Sequence, residues 1–403
     1  MKKLSIRDVD VEGKIVLARV DFNVPIDSDK SITDDTRIVA SLPTIHSVVD
    51  RGGRLVLMSH LGRPRGQRDA ELSLLPVAHR LGELIDNPLR FVDDCIGEDV
   101  AAKAASLSDG EILMLENLRF HPGEEANDPE FARRLADVAE VYVNDAFGTA
   151  HRAHASTDGV SSYIATRAAG LLMEKELAAL GDALHDPERP FVAVLGGAKI
   201  KGKINLIKSL MDTVDVVLVG GGMMYTFFEA SGLEIGRSIV DQSFHSMCRE
   251  LLERTRSGPS RLLLPVDTII AEDIDDEAAT REVSIADIPE DWLGVDIGPK
   301  TVDLFKSEIA LAETVFWNGP MGIFEKPNFA EGTKAIARAV ADSTERGATT
   351  IVGGGDSLAA INLMGIADRY SHVSTGGGAA LEFMEGRPLP GVDALCDVAE
   401  VTG

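Results

Sequence analysis

Cationic side chains recur at turn-like positions early in this chain: Arg37, His60, Arg63, Arg119 and Arg152. A guanidinium presents a planar fork of donors that matches carboxylate and phosphate oxygens. Such groups converging from several strand ends would form a socket for a small phosphorylated, carboxylate-bearing metabolite. Asp21 and Asn23 close an apolar run and join the set. A single arginine after a strand is ordinarily a surface ion-pair partner, so the reading rests on the set. His151 and His154 flank Arg152, but no carboxylate or cysteine stands at a suitable spacing, and metal ligation is not expected there.

The second half is punctuated by glycine. GGAKIKGKI sets Lys199 and Lys203 just after an apolar run, where a backbone without β-carbons lets amides approach phosphate and an ammonium neutralises it. Gly197 to Lys203 nearly spells a P-loop, yet Ile204 stands where that loop needs Ser or Thr for magnesium, so a P-loop NTPase is rejected. GGGDS (Gly353, Gly354, Gly355, Asp356, Ser357) pairs a close-approach backbone with a carboxylate. That suits a magnesium-bound nucleotide, because Mg²⁺ takes one or two protein carboxylates plus substrate phosphates; a plain tight turn is the alternative. STGGGAALEFM leads through Gly376, Gly377 and Gly378 into a helix whose first N–H groups could hold an anion or simply join two elements. WNGPMGIFE offers Glu325 as an acceptor for a ribose hydroxyl.

Composition sets the frame for these motifs. The 403 residues exceed one ordinary core, and a 44% hydrophobic share is that of a globular protein, so two domains are expected. With 65 Asp+Glu against 40 Lys+Arg and a formal charge of -25, the chain would repel a nucleic acid. Its 14 lysines against 26 arginines, within that acidic excess, fit a protein kept soluble in a salt-rich cytosol, a halophilic character. Cys95, Cys248 and Cys396 are far apart, odd in number and without metal-ligand spacing, which argues against a disulfide framework and for a reducing, cytoplasmic setting. No run approaches the roughly 20 apolar residues of a spanning helix, so neither export nor a membrane is expected.

Short β-branched runs must position these residues. They fall at 15–20, 54–58, 112–115, 141–143, 191–195, 216–219, 262–264, 315–317, 350–352 and 372–374, with helical patterns at 131–139, 204–211, 244–254 and 332–346 between them. Strand alternating with helix implies α/β architecture with mostly parallel sheets covered on both faces. The joint is expected near 170–190, an amphipathic helix ended by a proline-containing turn; the acidic stretch 272–277 reads as a solvated loop. The motifs above follow the strands, at the edge where ligands of open α/β sheets bind.

Taken in order, RVDFNVP, SHLGRP, ENLRF, VNDAFGTAHRAHAS, LGGAKIKGKI, VGGGM, LPVD, DIGPKT, FWNGPMGIFE, IVGGGDS, HVSTGGGAALEFMEG and LPGVDAL resemble the signature segments of the phosphoglycerate kinase family across essentially the whole chain. The resemblance implies two Rossmann-like domains: 1–170 binding 3-phosphoglycerate, 171–190 a hinge helix and linker, 191–375 binding Mg-ADP or Mg-ATP, and 376–403 packing back on the first. It assigns 3-phosphoglycerate to Asp21, Asn23, Arg37, His60, Arg63, Arg119 and Arg152. Nucleotide falls to Lys199, Lys203, Gly294, Glu325, Gly353, Gly354, Gly355, Asp356 and Ser357, with Asp356 the magnesium ligand. Arg37, Lys199, Gly376 and Gly377 would meet the transferring phosphoryl group. It further implies Mg²⁺ with ATP/ADP, reversible transfer between 1,3-bisphosphoglycerate and ADP in glycolysis and gluconeogenesis, and a monomer. Two positions depart from the commoner pattern: Lys201–Gly202 replaces an acidic or polar pair, and Ser357 replaces a frequent threonine.

Two other classes fit the sequence less well. A nicotinamide-dependent dehydrogenase would need G-x-G-x-x-G after its first strand, and RVDFNVP has no glycine. A catalytically silent binding protein on the same fold would be expected to have lost Lys199, Asp356 or Arg37, and all three are present.

Overall fold

The computed structural model describes residues 2–275 and 277–398. Residues 399–403, the end of the segment expected to return to the first domain, and Asp276 of the acidic stretch 272–277 lie outside the described residues. The chain divides into two compact units, one running to Ala178 and resuming at Pro388, the other Ala179–Arg387.

The first unit is built on β1 (Ile15–Arg19), β2 (Arg54–Met58), β3 (Leu89–Phe91), β4 (Ile112–Met114), β5 (Val141–Asn144) and β6 (Thr166–Ala169). They form one parallel sheet in the order β3-β4-β2-β1-β5-β6, with Val16 opposite Leu55 and Val141. Every residue of β1, β4 and β5 is buried, as expected of parallel strands with helices on both faces. One face packs Val16, Ala18, Leu55 and Leu57 against Ile38, Ile45 and Val48 of the helix Thr36–Val49. Alternate residues share that face because the side-chain period of a strand is two.

The second unit contains β7 (Phe191–Leu195), β8 (Val216–Val219), β9 (Arg261–Leu263), β10 (Asp267–Ala271), β11 (Thr280–Ser284), β12 (Leu293–Ile297), β13 (Thr314–Asn318), β14 (Thr349–Gly353) and β15 (His372–Val373). Its main sheet is parallel, ordered β15-β14-β13-β7-β8-β9. A separate antiparallel sheet, β11-β10-β12, was not foreseen. Two of its strands were hidden because β11 is largely exposed and β12 is broken by Gly294, so neither forms a continuous apolar run.

The division between the units falls inside the helix Leu171–His185, between Ala178 and Ala179, within the stretch 171–190 expected as hinge helix and linker. The returning segment begins at Pro388 rather than Gly376, because the helix Gly378–Met384 packs on Ile204–Leu210 within the second unit. From Pro388 on, Gly391 O accepts Asn144 Nδ2 at 2.9 Å and Cys396 O accepts Leu4 N at 2.8 Å, both inside the first unit.

Three buried aspartates, in β10, in β12 and just after β5, cap helices distant in sequence. Asp145 accepts from Leu172 N at 2.9 Å, Asp267 from Thr301 N at 2.8 Å, and Asp296 from Gly332 N at 2.6 Å. Each gives its carboxylate to N–H groups that a helix start leaves unpaired, which orients the helix against its sheet.

Candidate functional site

In the first unit the strand order reverses beside β1, whose neighbours are β2 and β5. The crevice outside the carboxyl ends at such a reversal is where open α/β sheets bind ligands. Asp21 and Asn23 follow β1, His60 and Arg63 follow β2, Arg119 lies in the turn Leu118–Phe120 after β4, and Arg152 lies in the loop beyond β5. Arg37 enters from the first turn of the helix Thr36–Val49 and ion-pairs with Asp21 Oδ2. Asn23 Oδ1 accepts from Gly62 N at 2.9 Å, while Arg119 Nη1 donates to Gly62 O at 2.7 Å, so the SHLGRP turn is gripped on both sides. Arg119 is 4% exposed, with Nε 3.3 Å from Glu125. Arg63 is exposed, and Arg152 is half-buried with Nε donating to His151 Nε2 at 3.2 Å.

Arg37, Arg119 and Arg152 all act on the ring of His60. Burial first, then Arg19, Arg119, Arg37 and Arg152, push the His60 imidazole well below its usual range. His154 falls to about 4 through burial, then Arg119, Arg19 and Arg152. Both rings are therefore neutral at neutral pH. His60 Nδ1 lies 3.1 Å from Arg19 Nη2, and a guanidinium has no acceptor, so Nδ1 accepts and the ring proton sits on Nε2 as a donor.

Arg19 escaped the sequence reading. It is wholly buried, its Nε donates to Ser156 Oγ at 2.8 Å, and that hydroxyl donates to Glu124 Oε1 at 2.6 Å. Glu124 is also wholly buried, and burial raises its carboxyl. The available signal was an arginine ending an apolar strand, since a buried charge must find a partner. Glu124 and Ser156 carried no such mark.

In the second unit the order reverses between β7 and β13. A cleft of about 830 Å³, open to solvent, is lined there by Gly197, Gly222, Gly294, Glu325 and Asp356 among others. Gly294 is dictated by close approach: a β-carbon would fall 1.5 Å from Tyr225 Oη, itself 2.7 Å from Thr268 Oγ1. Gly354 has φ +92° and a β-carbon there would meet Asn318 Nδ2 at 2.8 Å. It turns the chain into the helix Gly355–Leu363, whose first turn exposes Asp356.

Other predicted residues serve the cleft from beneath. Lys203 Nζ donates to Gly196 O at 2.5 Å and Asn318 O at 2.9 Å, joining the ends of β7 and β13; burial lowers it to about 8 against the upward pull of Asp356. Ser357 is fully buried and its Oγ accepts from Gly319 N at 2.6 Å. Gly353 O accepts from Asn318 Nδ2 at 2.8 Å, and Gly355 opens the helix. Lys199 is exposed and lines a neighbouring hollow with Lys201 and Asp241. Gly376 already donates its amide to Ser374 Oγ at 3.1 Å, Gly377 has φ +52°, and the helix after them is seven residues long. Asp296 was not singled out from the sequence; it lines the cleft, and burial pushes it up to about 7.

An exposed carboxylate in a cleft that also holds glycine backbone fits Mg²⁺ bound chiefly through nucleotide phosphates. The cationic cluster of the first unit suits a small anion. Among the described residues, no helix is long and apolar enough to cross a membrane.

Comparison with known proteins converges on one family. The phosphoglycerate kinase family model matches residues 6–387. The phosphoglycerate kinase of Pelodictyon phaeoclathratiforme is 56% identical over 397 residues, covering 98% of this chain and 100% of the relative. That of Chlorobium luteolum is 57% identical over 395 residues with the same coverage. The structure of phosphoglycerate kinase from Coxiella burnetii superposes with a TM-score of 0.89 at 40% identity, covering 97% of this chain and 98% of that one. The enzyme from Pyrococcus horikoshii gives 0.83 at 31% identity over the same shares. A pocket of converging guanidinium groups, a glycine-lined cleft and relatives matched along nearly their full length lead to one statement: the chain belongs to the phosphoglycerate kinase family, enzymes that transfer phosphoryl groups to a carboxyl acceptor.

Proposed function

We propose that this chain catalyses the reversible, Mg-dependent transfer of a phosphoryl group between 1,3-bisphosphoglycerate and ADP, giving 3-phosphoglycerate and ATP, in the cytoplasmic steps of glycolysis and gluconeogenesis. The observation that carries the reading is the crowding of Arg19, Arg37, Arg119 and Arg152 about a neutral His60. In a chain of charge -25 such local crowding of cations suits a compact polyanion.

In this reading Arg37, Arg63, Arg119 and Arg152 hold the phosphate and carboxylate of the triose, His60 donates from Nε2, and Asp21 keeps Arg37 in place. Asn23 fixes the turn that carries Arg63. Gly294 and Glu325 receive the nucleoside, and Lys203, Gly353, Gly354 and Ser357 shape the wall that presents Asp356. Mg²⁺, when held by Asp356 and nucleotide phosphate oxygens, supplies neutralising charge. Lys199, Arg37 and the Gly376 and Gly377 backbone meet the charge of the transferring group. Attacking and leaving oxygens must lie in line, and positioning of this kind lowers a barrier by about 7–11 kcal/mol. No general base is required, because carboxylate and phosphate are already anionic at neutral pH. The helix Leu171–His185 is the hinge in this scheme, and the chain acts as a monomer.

The test is an assay with ATP, Mg²⁺ and 3-phosphoglycerate, coupled through an NADH-consuming dehydrogenase. Steady loss of NADH absorbance is expected, and none at any salt concentration would reject the proposal. The acidic excess further suggests a salt-adapted protein; a Tm that rises from dilute to molar KCl is expected, and a fall would contradict it.

A further inference from the structure

The geometry points to a second cation site, for a zinc-like ion rather than magnesium, formed in the first unit by Cys95 Sγ, His121 Nε2 and a carboxylate oxygen of Asp94. These ligand atoms all lie within 4.8 Å of one another. A thiolate, an imidazole and a carboxylate with one position left for water make a donor set that selects zinc or a similar soft-to-borderline divalent ion over magnesium. Ligand atoms around tetrahedral zinc stand roughly 3.3–3.8 Å apart, so side-chain adjustments of about an ångström would complete the site.

The surroundings favour a cation. His121 Nε2 and Asp94 Oδ1 are 2.6 Å apart and share a proton that an ion would replace. Cys95 Sγ is buried and lies 2.9 Å from Glu116 O. A hollow with about 400 Å³ of empty volume, lined by Asp94, Cys95 and His121, opens beside it and gives a route for entry. On binding, the thiol proton leaves to solvent and the imidazole proton leaves Nε2, moving to Nδ1 or to solvent. The +2 charge is then balanced by thiolate and carboxylate.

The site's place in the fold gives it a consequence. Asp94 and Cys95 follow β3, and His121 ends the turn Leu118–Phe120 that carries Arg119. A bound ion would clip these segments together and stiffen that turn. None of the three ligands belongs to the proposed triose pocket.

The experiment uses the full chain, freed of metal and without nucleotide, titrated with Co²⁺ and Zn²⁺ in excess Mg²⁺. The expected result is a near-ultraviolet thiolate-to-cobalt charge-transfer band that excess Mg²⁺ does not abolish, lost in Cys95→Ser and retained in Cys248→Ser. Zinc should raise the wild-type Tm, and calorimetry should show at least about tenfold weaker zinc binding in Asp94→Asn and His121→Gln. Those two positions are partly exposed, so they decide the matter if Cys95→Ser fails to fold. Absence of the band in wild type, its persistence in Cys95→Ser, or wild-type zinc affinity in both surface variants overturns the inference.

Discussion

The two regions proposed to bind ligands are built by opposite means. The first unit gathers long cationic side chains and holds three of them against internal partners: Arg37 on Asp21, Arg119 on Glu125 and Gly62 O, Arg19 on Ser156 above Glu124. The second removes side chains, so that Gly197, Gly222 and Gly294 bring backbone to the cleft wall, and commits the half-buried ammonium of Lys203 to two carbonyls. Charge that must recognise two ends of a small molecule needs reach and a fork; space for a flat, larger ligand needs absence. Sensitivity to mutation should therefore differ between them, through electrostatics in one and sterics in the other.

The sharpest way to break the contrast is Arg37→Ala. Removing a preorganised cation should lower kcat about 10²–10³-fold with little change in nucleotide KM, as read in the coupled assay. A defect confined to nucleotide KM would place Arg37 on the wrong side of the comparison. Asp356→Ala should weaken Mg-nucleotide binding about 10- to 100-fold while leaving 3-phosphoglycerate affinity intact, by calorimetry with each ligand alone. Unchanged nucleotide affinity would remove Asp356 as the metal ligand.

Gly294→Ala tests the steric half. The new methyl must displace Tyr225 from Thr268, which should destabilise the second unit by about 1–3 kcal/mol and raise nucleotide KM. Denaturation unchanged from wild type would show the wall to be slack. His154→Gln tests the electrostatic half more gently. The His154 pKa is depressed to about 4 from 6.5. Above 6.5 the ring is neutral folded and unfolded, and below it the unfolded state binds the extra proton. Stability is therefore lost as pH falls through this window, by about 1 kcal/mol between pH 6.5 and 5.5. The variant should lack this component, so urea unfolding should show wild type losing ground to it as pH drops. A pH-independent difference would mean that neither burial nor the neighbouring cations depress the ring's pKa.

The legible part of the fold was the part with period. Continuous apolar runs such as Phe191–Leu195 and Val216–Val219 announced buried parallel strands. The edge strands Leu89–Phe91 and Thr166–Ala169 passed unnoticed, being short, partly exposed and in the second case alanine-rich. At the site, Arg37, His60 and Asp356 were visible because charge beside a strand end or a glycine run is conspicuous. Arg19, Glu124 and Asp296 were not, since what distinguishes them is burial.

By itself the chain determined its α/β class, its family, and which cations and glycines gather at strand ends, because these follow from local pattern and order along the chain. Tertiary structure alone decided that Lys203 and Ser357 face inward to backbone partners, that the chain re-enters the first unit at Pro388, and that Cys95 meets His121. Each of these depends on which distant atoms satisfy a buried polar group, and residue spacing carries no record of that choice.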